Sequence, residues 1–130
     1  MARMIRPTDI KLHQKSRMLE VHFEDGSHFE MPCEYLRVYS PSAEVRGHGP
    51  GQEVLQTGKE HVNIDAIEPV GTYAVVFRFD DGHHTGIYSW DTLYDLGSNK
   101  SSNWKEYLRR LGEAGHLRKP QPYDAGMTDD

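Results

Sequence analysis

The sequence predicts an α+β domain that is mostly antiparallel β, with hairpins and one or two C-terminal helices. Three observations support this fold class. Apolar and polar residues alternate along several short segments, two Asp-Gly pairs stand between such segments, and an apolar stripe with helical spacing occurs near the C-terminus. A chain of 130 residues is long enough for one domain with short tails. We therefore expect a flexible N-terminus over 1–7, the domain over 8–117 and a disordered tail over 118–130.

The first three strands are predicted from a period of two in hydrophobicity. Apolar residues alternate with polar ones over 10–12 and again over 19–23, which is typical of antiparallel strands with one buried face. Asp25-Gly26 then favours a tight turn, because glycine readily adopts the left-handed backbone that such turns need. A third strand over 29–31 is expected to end at Pro32.

A second hairpin is predicted further along the chain. A strand pattern resumes over 62–67, and the most β-prone run of the sequence covers 73–79. Asp81-Gly82 turns this run into a partner strand over 85–88. Between the two hairpins, residues 40–58 are rich in glycine, proline and serine and show no periodicity, which predicts a long surface loop.

Two helices are predicted after the second hairpin. Ser89 is a favourable N-cap for the first helix, and Gly97 is placed to end it. Asn103 and Glu106 resemble a capping box at the start of the second helix. Four residues at the i, i+3, i+4, i+7 spacing give this second helix one apolar stripe: Trp104, Tyr107, Leu108 and Leu111.

Charge and cysteine content exclude several classes of protein. The balance of 15 Lys and Arg against 20 Asp and Glu gives a net charge of −5, which argues against general affinity for nucleic acid or for an anionic membrane. Cys33 is the only cysteine, so neither an internal disulfide nor a zinc site with two or four cysteines can form within one chain. The sequence shows no signal-peptide core and no apolar run of about 20 residues, and we expect a cytoplasmic protein.

The two Asp-Gly turns lie in similar sequences. Phe23-Glu-Asp-Gly-Ser-His28 aligns with Phe79-Asp-Asp-Gly-His-His84, and an apolar residue follows each segment at a matching distance. A duplicated hairpin unit that pairs to form one site is one interpretation. Two unrelated hairpins with a common turn sequence are the other, and this turn is frequent enough to favour it.

Four features in a fixed order carry a resemblance to a known family. They are the first hairpin, the Leu36-Arg37 pair, the loop Ser40-Pro-Ser-Ala-Glu-Val-Arg46, and the second hairpin with its Tyr-Ser-Trp-Asp ending. Over about residues 8–112 the chain is similar to the family of domains like the N-terminal domain of gamma-butyrobetaine hydroxylase. The resemblance implies a compact, mostly β domain with helices at its end. It also implies that such a domain is found alone in bacteria, fused to 2-oxoglutarate oxygenases, or fused to P-loop iron-sulfur carrier ATPases.

The resemblance also implies a zinc site in the oxygenase branch, with three cysteines and one histidine. The corresponding positions here are Ser40, Ser42 and Val45, while His83 matches the histidine. Serine hydroxyls are poor zinc ligands at neutral pH and valine offers none, so we expect that this zinc site is not retained. The sequence also contains no His-x-Asp motif for an iron-binding facial triad, and no hydroxylation by this chain is expected.

Two hypotheses of function follow. The first is a non-catalytic module without a cofactor that binds another protein and is accessory to iron-sulfur or oxygenase metabolism. Its predicted binding surface consists of charged, histidine and aromatic residues in the loop and second hairpin: Glu44, Arg46, His48, Asp81, His83 and Trp90. The alternative is a metal-binding domain that holds zinc or iron through His83 with His48 or Glu44.

Other candidate residues are weaker. Adjacent His83 and His84 project to opposite faces of an extended chain, and solvent-exposed turn histidines are the more common situation. Cys33 beside Pro32 is expected to be a semi-buried filler rather than a nucleophile. The five remaining histidines are assigned to no site: His13, His22, His28, His61 and His116.

Overall fold

The computed structural model describes residues 5–47 and 51–127, and it confirms an α+β fold with two three-stranded antiparallel sheets. The first sheet consists of β1 (Pro7–His13), β2 (Met18–Phe23) and β3 (His28–Pro32). The second consists of β4 (Ile64–Val70), β5 (Ala74–Phe79) and β6 (Ile87–Ser89). The helices are α1 (Cys33–Val38), α2 (Ala43–Arg46), α3 (Trp90–Ser98), α4 (Lys100–Glu113) and a 3-10 helix at Pro122–Gly126. Within the described residues, no helix combines the length and the apolar character needed to cross a bilayer.

The two sheets have the same internal order. Each is an antiparallel meander, β1-β2-β3 or β4-β5-β6, and each is followed directly by a helix, α1 or α3. The predicted Asp-Gly turns connect the second and third strand of each sheet. Gly26 and Gly82 adopt φ angles of 87° and 90° there, a region that favours glycine. The similar turn sequences therefore lie in equivalent places of two units with the same element order.

One hydrophobic core joins the two sheets and the helices. Alternate residues of β2 face it, namely Leu19, Val21 and Phe23, and each is buried. Phe77 and Phe79 of β5 contribute in the same way. The period of two in the sequence thus correctly indicates which face of β2 is buried.

Helix α1 was not predicted from the sequence. All six of its residues are buried, including Glu34 and Arg37, and a segment of six residues is too short to show a helical period in hydrophobicity. Its N-cap is Pro32, whose side chain provides no hydrogen bond to the helix. Neither amphipathic spacing nor a polar cap therefore indicates this helix.

The predictions for α3 and α4 are partly confirmed. Ser89 caps α3 as expected, since its Oγ accepts a hydrogen bond from the Thr92 amide at 3.1 Å. Gly97 does not end α3 but lies within it, packed against Phe29. Helix α4 begins at Lys100, so the predicted capping box at Asn103 is wrong.

The side chains of α4 explain where this helix differs from the prediction. Asn103 lies inside the helix and donates its Nδ2 hydrogen to the Tyr35 hydroxyl at 3.0 Å, so it serves a tertiary contact instead of a cap. The apolar stripe is confirmed for Trp104, Tyr107 and Leu111, which are buried. Leu108 is 38% exposed, and its predicted place in the stripe is wrong.

The prediction of a disordered tail is wrong for residues 118–127. Arg118 pairs with Glu34 of α1 through two contacts of 2.8 Å, and the Glu34 side chain is fully buried. The 3-10 helix follows, and Met127 is 1% exposed in the core. Proline and polar residues suggested disorder, but the need to pair a buried carboxylate holds this segment in place.

The other segment boundaries need smaller corrections. Strand β1 begins at Pro7, inside the predicted flexible N-terminus, and the Arg6 carbonyl accepts a hydrogen bond from the Glu24 amide. The predicted loop over 40–58 contains the short helix α2, capped by Ser42. Residues 1–4, 48–50 and 128–130 lie outside the described residues.

Replacing Arg118 with methionine should destabilise the fold strongly. Arg118→Met leaves the Glu34 carboxylate unpaired in the core, and we expect a loss of about 3–5 kcal/mol in the free energy of unfolding, measured by urea denaturation. Arg109→Met is the control, because Arg109 pairs with Glu106 and Glu113 on the exposed side of α4, where solvent screens the pairs and the substitution should change stability little. Equal losses in the two variants would contradict the structural role of the buried pair.

A methyl group at Gly97 should also be costly. A Cβ there would lie 2.4 Å from the Phe29 ring, so Gly97→Ala should lower the free energy of unfolding by about 1–3 kcal/mol. The matched control is Gly112→Ala in α4, where a Cβ meets no atom within 4 Å and alanine should stabilise the helix by up to about 1 kcal/mol. Thermal unfolding of both variants checks the opposite signs. A stable Gly97→Ala protein would show that the α3–β3 contact is looser than described.

Candidate functional site

The loop after α1 and the second hairpin meet at His83. Ser40 Oγ lies 2.9 Å from His83 Nε2, and Glu44 Oε2 lies 3.0 Å from His83 Nδ1. Ser42 contacts the same hairpin, with its Oγ 2.6 Å from Thr85 Oγ1. The positions that match the family's zinc ligands are therefore close together in space, and they are joined by hydrogen bonds.

His83 is enclosed rather than exposed. Its side chain is 3% exposed, so the expectation of solvent-exposed turn histidines is wrong for His83, whereas His84 beside it is exposed. Burial lowers the pKa of His83, and the positive charge of Arg37 lowers it further. The neutral ring donates from Nδ1 to the Glu44 carboxylate, which can only accept, and its Nε2 accepts from the Ser40 hydroxyl.

The donor set does not fit the zinc site of the oxygenase branch. Ser40 and Ser42 offer hydroxyls, Val45 is a buried aliphatic side chain, and both nitrogens of His83 already have partners. Space is also limited, because a Cβ at Gly86 would lie 2.3 Å from Ser40 Oγ. Hydrogen bonds and apolar packing hold this part of the chain together here.

Asp81, in the turn of the second hairpin, links this cluster to α1 through hydrogen bonds. Its Oδ1 accepts the His83 amide hydrogen at 3.1 Å, and its Oδ2 accepts from Arg37 Nε at 2.9 Å and from Lys59. Partial burial disfavours the ionised carboxylate, but the hydrogen bonds from Lys59 and His83 and the Arg37 charge outweigh it and lower the pKa of Asp81 to about 2. Arg37 also donates to Gln56 at 3.0 Å, which ties the end of the loop to α1.

The exposed side of this region is a cleft beside α2. Glu44 and Arg46 are exposed on α2. The cleft has a volume of about 400 Å³ and is lined by Tyr39, which directly follows α1, and by residues of α2, α3 and α4: Arg46, Asp91, Thr92, Asp95, Leu96 and Asn103. The cleft is therefore lined by charges of both signs, from Arg46, Asp91 and Asp95, and by the apolar groups of Tyr39 and Leu96.

The structure unites only part of the predicted binding surface. Glu44, Asp81 and His83 converge, and Arg46 lies on the adjoining cleft. Trp90 is half-buried at the start of α3, where its indole Nε1 donates to the Thr72 carbonyl at 2.8 Å. His48 lies outside the described residues, so its predicted role stays a prediction.

Sequence reasoning missed two cations of the site. Arg37 was noted only as part of a family motif, although a charged residue in a segment that proves fully buried needs a partner. Lys59 carries no local pattern that would place it next to Asp81, 22 residues away.

The fold and the site define a small α+β domain in which two meander-plus-helix units enclose a polar cluster between a loop and a hairpin. This chain belongs to the gamma-butyrobetaine hydroxylase-like, N-terminal family, whose family model matches residues 10–94. Among curated proteins none matches the chain.

Solved structures support this family assignment. A solution NMR structure with 53% identity aligns over 93% of this chain and 92% of its own, with a TM-score of 0.77. A second one has 44% identity, coverage of 92% and 94%, and a TM-score of 0.78. A crystal structure of a protein of unknown function from Acidithiobacillus ferrooxidans, of the DUF971 family, has 39% identity, coverage of 71% and 92%, and a TM-score of 0.60.

Removing the charge of Asp81 should destabilise the domain in a pH-dependent way. Its pKa is lower in the folded than in the unfolded chain, so its stabilisation is complete above about pH 4 and is lost as the pH falls through about 2. We expect Asp81→Asn to lower the free energy of unfolding by about 1–3 kcal/mol at pH 7. The difference from wild type should narrow below about pH 4.

Denaturation at several pH values between 7 and 2 measures this difference. Asp65→Asn is the control, because Asp65 is exposed on β4 and should show little effect at any pH. An Asp81→Asn defect that stayed constant down to pH 2 would contradict the assigned role of the carboxylate charge.

Proposed function

We propose that this domain is a non-catalytic binding module that recognises another protein through α2 and the adjoining cleft. One observation carries the proposal. The Glu44 side chain is 66% exposed although its carboxylate is hydrogen-bonded to the buried His83 ring. At the positions that match the family's zinc ligands, this chain therefore has an oriented Glu44 carboxylate that faces solvent. A charged group that is already oriented loses less conformational entropy when it binds a partner.

The neighbouring charges support the same proposal. Arg46 lies two residues after Glu44 and opens onto the cleft that contains Asp91 and Asp95. Leu96 and Tyr39 provide apolar contact area within that cleft. A surface with both signs of charge around apolar groups suits a protein segment that carries basic and acidic residues in a defined order.

Asp81 and His83 have a positioning role in this proposal. Both side chains are held by internal partners, and they orient Glu44 and the loop instead of contacting the partner directly. Trp90 is half-buried against Thr72 at the start of the helix that lines the cleft, and we include it as a secondary contact.

The state of the candidate nucleophile and base supports a non-catalytic role. Burial raises the pKa of the Cys33 thiol to about 12, so it stays protonated and unreactive at neutral pH. The two ring nitrogens of His83 are engaged by Ser40 and Glu44. We expect no turnover and no cofactor bound at His83.

The family gives a setting for the proposed partner. The chain resembles domains that are fused to oxygenases and to iron-sulfur carrier ATPases. This resemblance supports a partner protein that acts in iron-sulfur or oxygenase metabolism and that meets the domain in the cytoplasm. A buried, reduced thiol such as Cys33 suits that compartment.

A zinc or iron site on His83 is the alternative. Within the described residues His83 and Glu44 supply two donors, and His48 lies outside them. Metal analysis of tag-free protein tests it: metal lost in His83→Ala but kept in His84→Ala would favour this alternative. Equal metal content in both variants would remove it.

Reversing the charge of Arg46 should abolish partner binding. We expect a partner captured by the wild type and by Arg109→Glu, but not by Arg46→Glu, with at least a tenfold weaker affinity when the purified pair is titrated, about 1.4 kcal/mol. Arg109→Glu is matched in chemistry but lies on the exposed face of α4. A partner that binds all three proteins equally, or no partner at all, would contradict the proposed surface.

A further inference from the structure

The outer face of the first sheet carries a cluster of imidazoles around one carboxylate. Leu19, Val21 and Phe23 of β2 face the core, so the residues between them, Glu20 and His22, face outward. The strand register places further polar side chains beside these two, with His28 opposite His22 and Glu30 opposite Glu20. His13 at the end of β1 completes the cluster.

The side chains of this cluster point at a common position. One ring nitrogen each of His22 and His28 and a carboxylate oxygen of Glu20 all lie within 4.8 Å of one another. His22 Nε2 is hydrogen-bonded to Glu20 Oε2, and His28 Nε2 lies 3.7 Å from the same oxygen. Ligand atoms around a tetrahedral zinc ion lie roughly 3.3 Å apart, so small side-chain movements bring these three to coordinating distance.

The two rings can make those movements. They are stacked with centroids 4.3 Å apart and planes 18° from parallel, and they project from facing strands. The side chains of His22 and His28 are 38% and 44% exposed, and the χ2 torsion of histidine is soft. An ion from solvent can therefore reach both nitrogens.

The carboxylate at the centre is held in place. The second oxygen of Glu20 lies 2.9 Å from His13 Nε2, on the side away from His28. A partner outside the coordination sphere that orients a ligand is a usual feature of metal sites.

We propose that this face binds a divalent late transition-metal ion, with Zn²⁺ as the representative, through Glu20, His22 and His28, while His13 orients the carboxylate. Two imidazoles and a carboxylate are ligands that suit zinc, nickel and copper, and water completes the coordination. Within the described residues this is the one group of three such side chains with converging ligand atoms. The site is separate from the family's zinc positions, because it lies on the first sheet and uses none of their residues.

This assignment corrects the sequence analysis, which gave His13, His22 and His28 no site. The missed signal was Glu20-x-His22, which puts both side chains on one face of a strand, followed by a turn that brings His28 opposite His22. The register of β2 against β3 was not predicted, and without it Glu20, His22 and His28 cannot be recognised as neighbours.

The test is a titration of tag-free, chelator-treated protein with ZnCl2, followed by calorimetry and by amide NMR spectra. We expect about one ion per chain, chemical-shift changes centred on β1–β3, and at least a tenfold weaker affinity in His22→Gln and in His28→Gln. His84→Gln is the matched control, because His84 occupies the equivalent position after the second Asp-Gly turn and should keep the wild-type affinity.

Each other outcome counts against the site. No stoichiometric binding would overturn it, as would an affinity that stays within twofold of wild type in either His22→Gln or His28→Gln. A loss shared by His84→Gln would indicate scattered surface binding. NMR spectra of the metal-free variants establish that they are folded, and Glu20→Gln supplies a third variant that should weaken binding without removing an imidazole.

Discussion

A single buried carboxylate dictates how the two ends of this domain are arranged. Glu34 is fully buried in α1, and an ionised carboxylate in an apolar core is tolerated only when it is paired and hydrogen-bonded. Arg118 supplies the charge, and the hydroxyls of Tyr107 and Tyr123 donate to Glu34 at 2.6 and 2.5 Å. Arg118 also stacks over Trp104 of α4, with its guanidinium 4.9 Å from the ring centroid. Helix α4 and the C-terminal segment are therefore required to close the core over α1.

A second constraint links the two meander units to each other. Asp25 in the turn of the first hairpin accepts a hydrogen bond from Tyr94 of α3, at 2.7 Å. Asp81 in the turn of the second hairpin accepts one from Arg37 of α1, at 2.9 Å. Each turn is thus held by the helix of the other unit, so the loop and hairpin around His83 cannot move independently of the whole fold.

The difference between predicted and observed structure follows from the range of the interactions. Alternation in β2, the β propensity of β5, the turns at Gly26 and Gly82, and the Ser89 cap depend on neighbouring residues, and these were predicted correctly. Helix α1 and the segment after Arg118 depend on partners 84 residues apart, which no local pattern records. The same distinction applies to the candidate site, where motifs locate single residues and the fold determines their contacts.

Family motifs located Glu44 and His83, but only the fold shows that Glu44 and Ser40 both reach the His83 ring. The histidines on the outer face of the first sheet likewise become neighbours only through the strand register, which pairs His22 with His28.

Burial separates the two histidine clusters in what each can do. To bind a ligand, the buried His83 ring would have to give up hydrogen bonds to Ser40 and Glu44, and a buried polar group left without a partner costs about 1–3 kcal/mol. His22 and His28 are partly exposed, and water can satisfy whichever groups a ligand displaces. A ligand would therefore meet a smaller cost at the outer face of the first sheet than at His83, whose hydrogen bond orients the exposed Glu44 side chain.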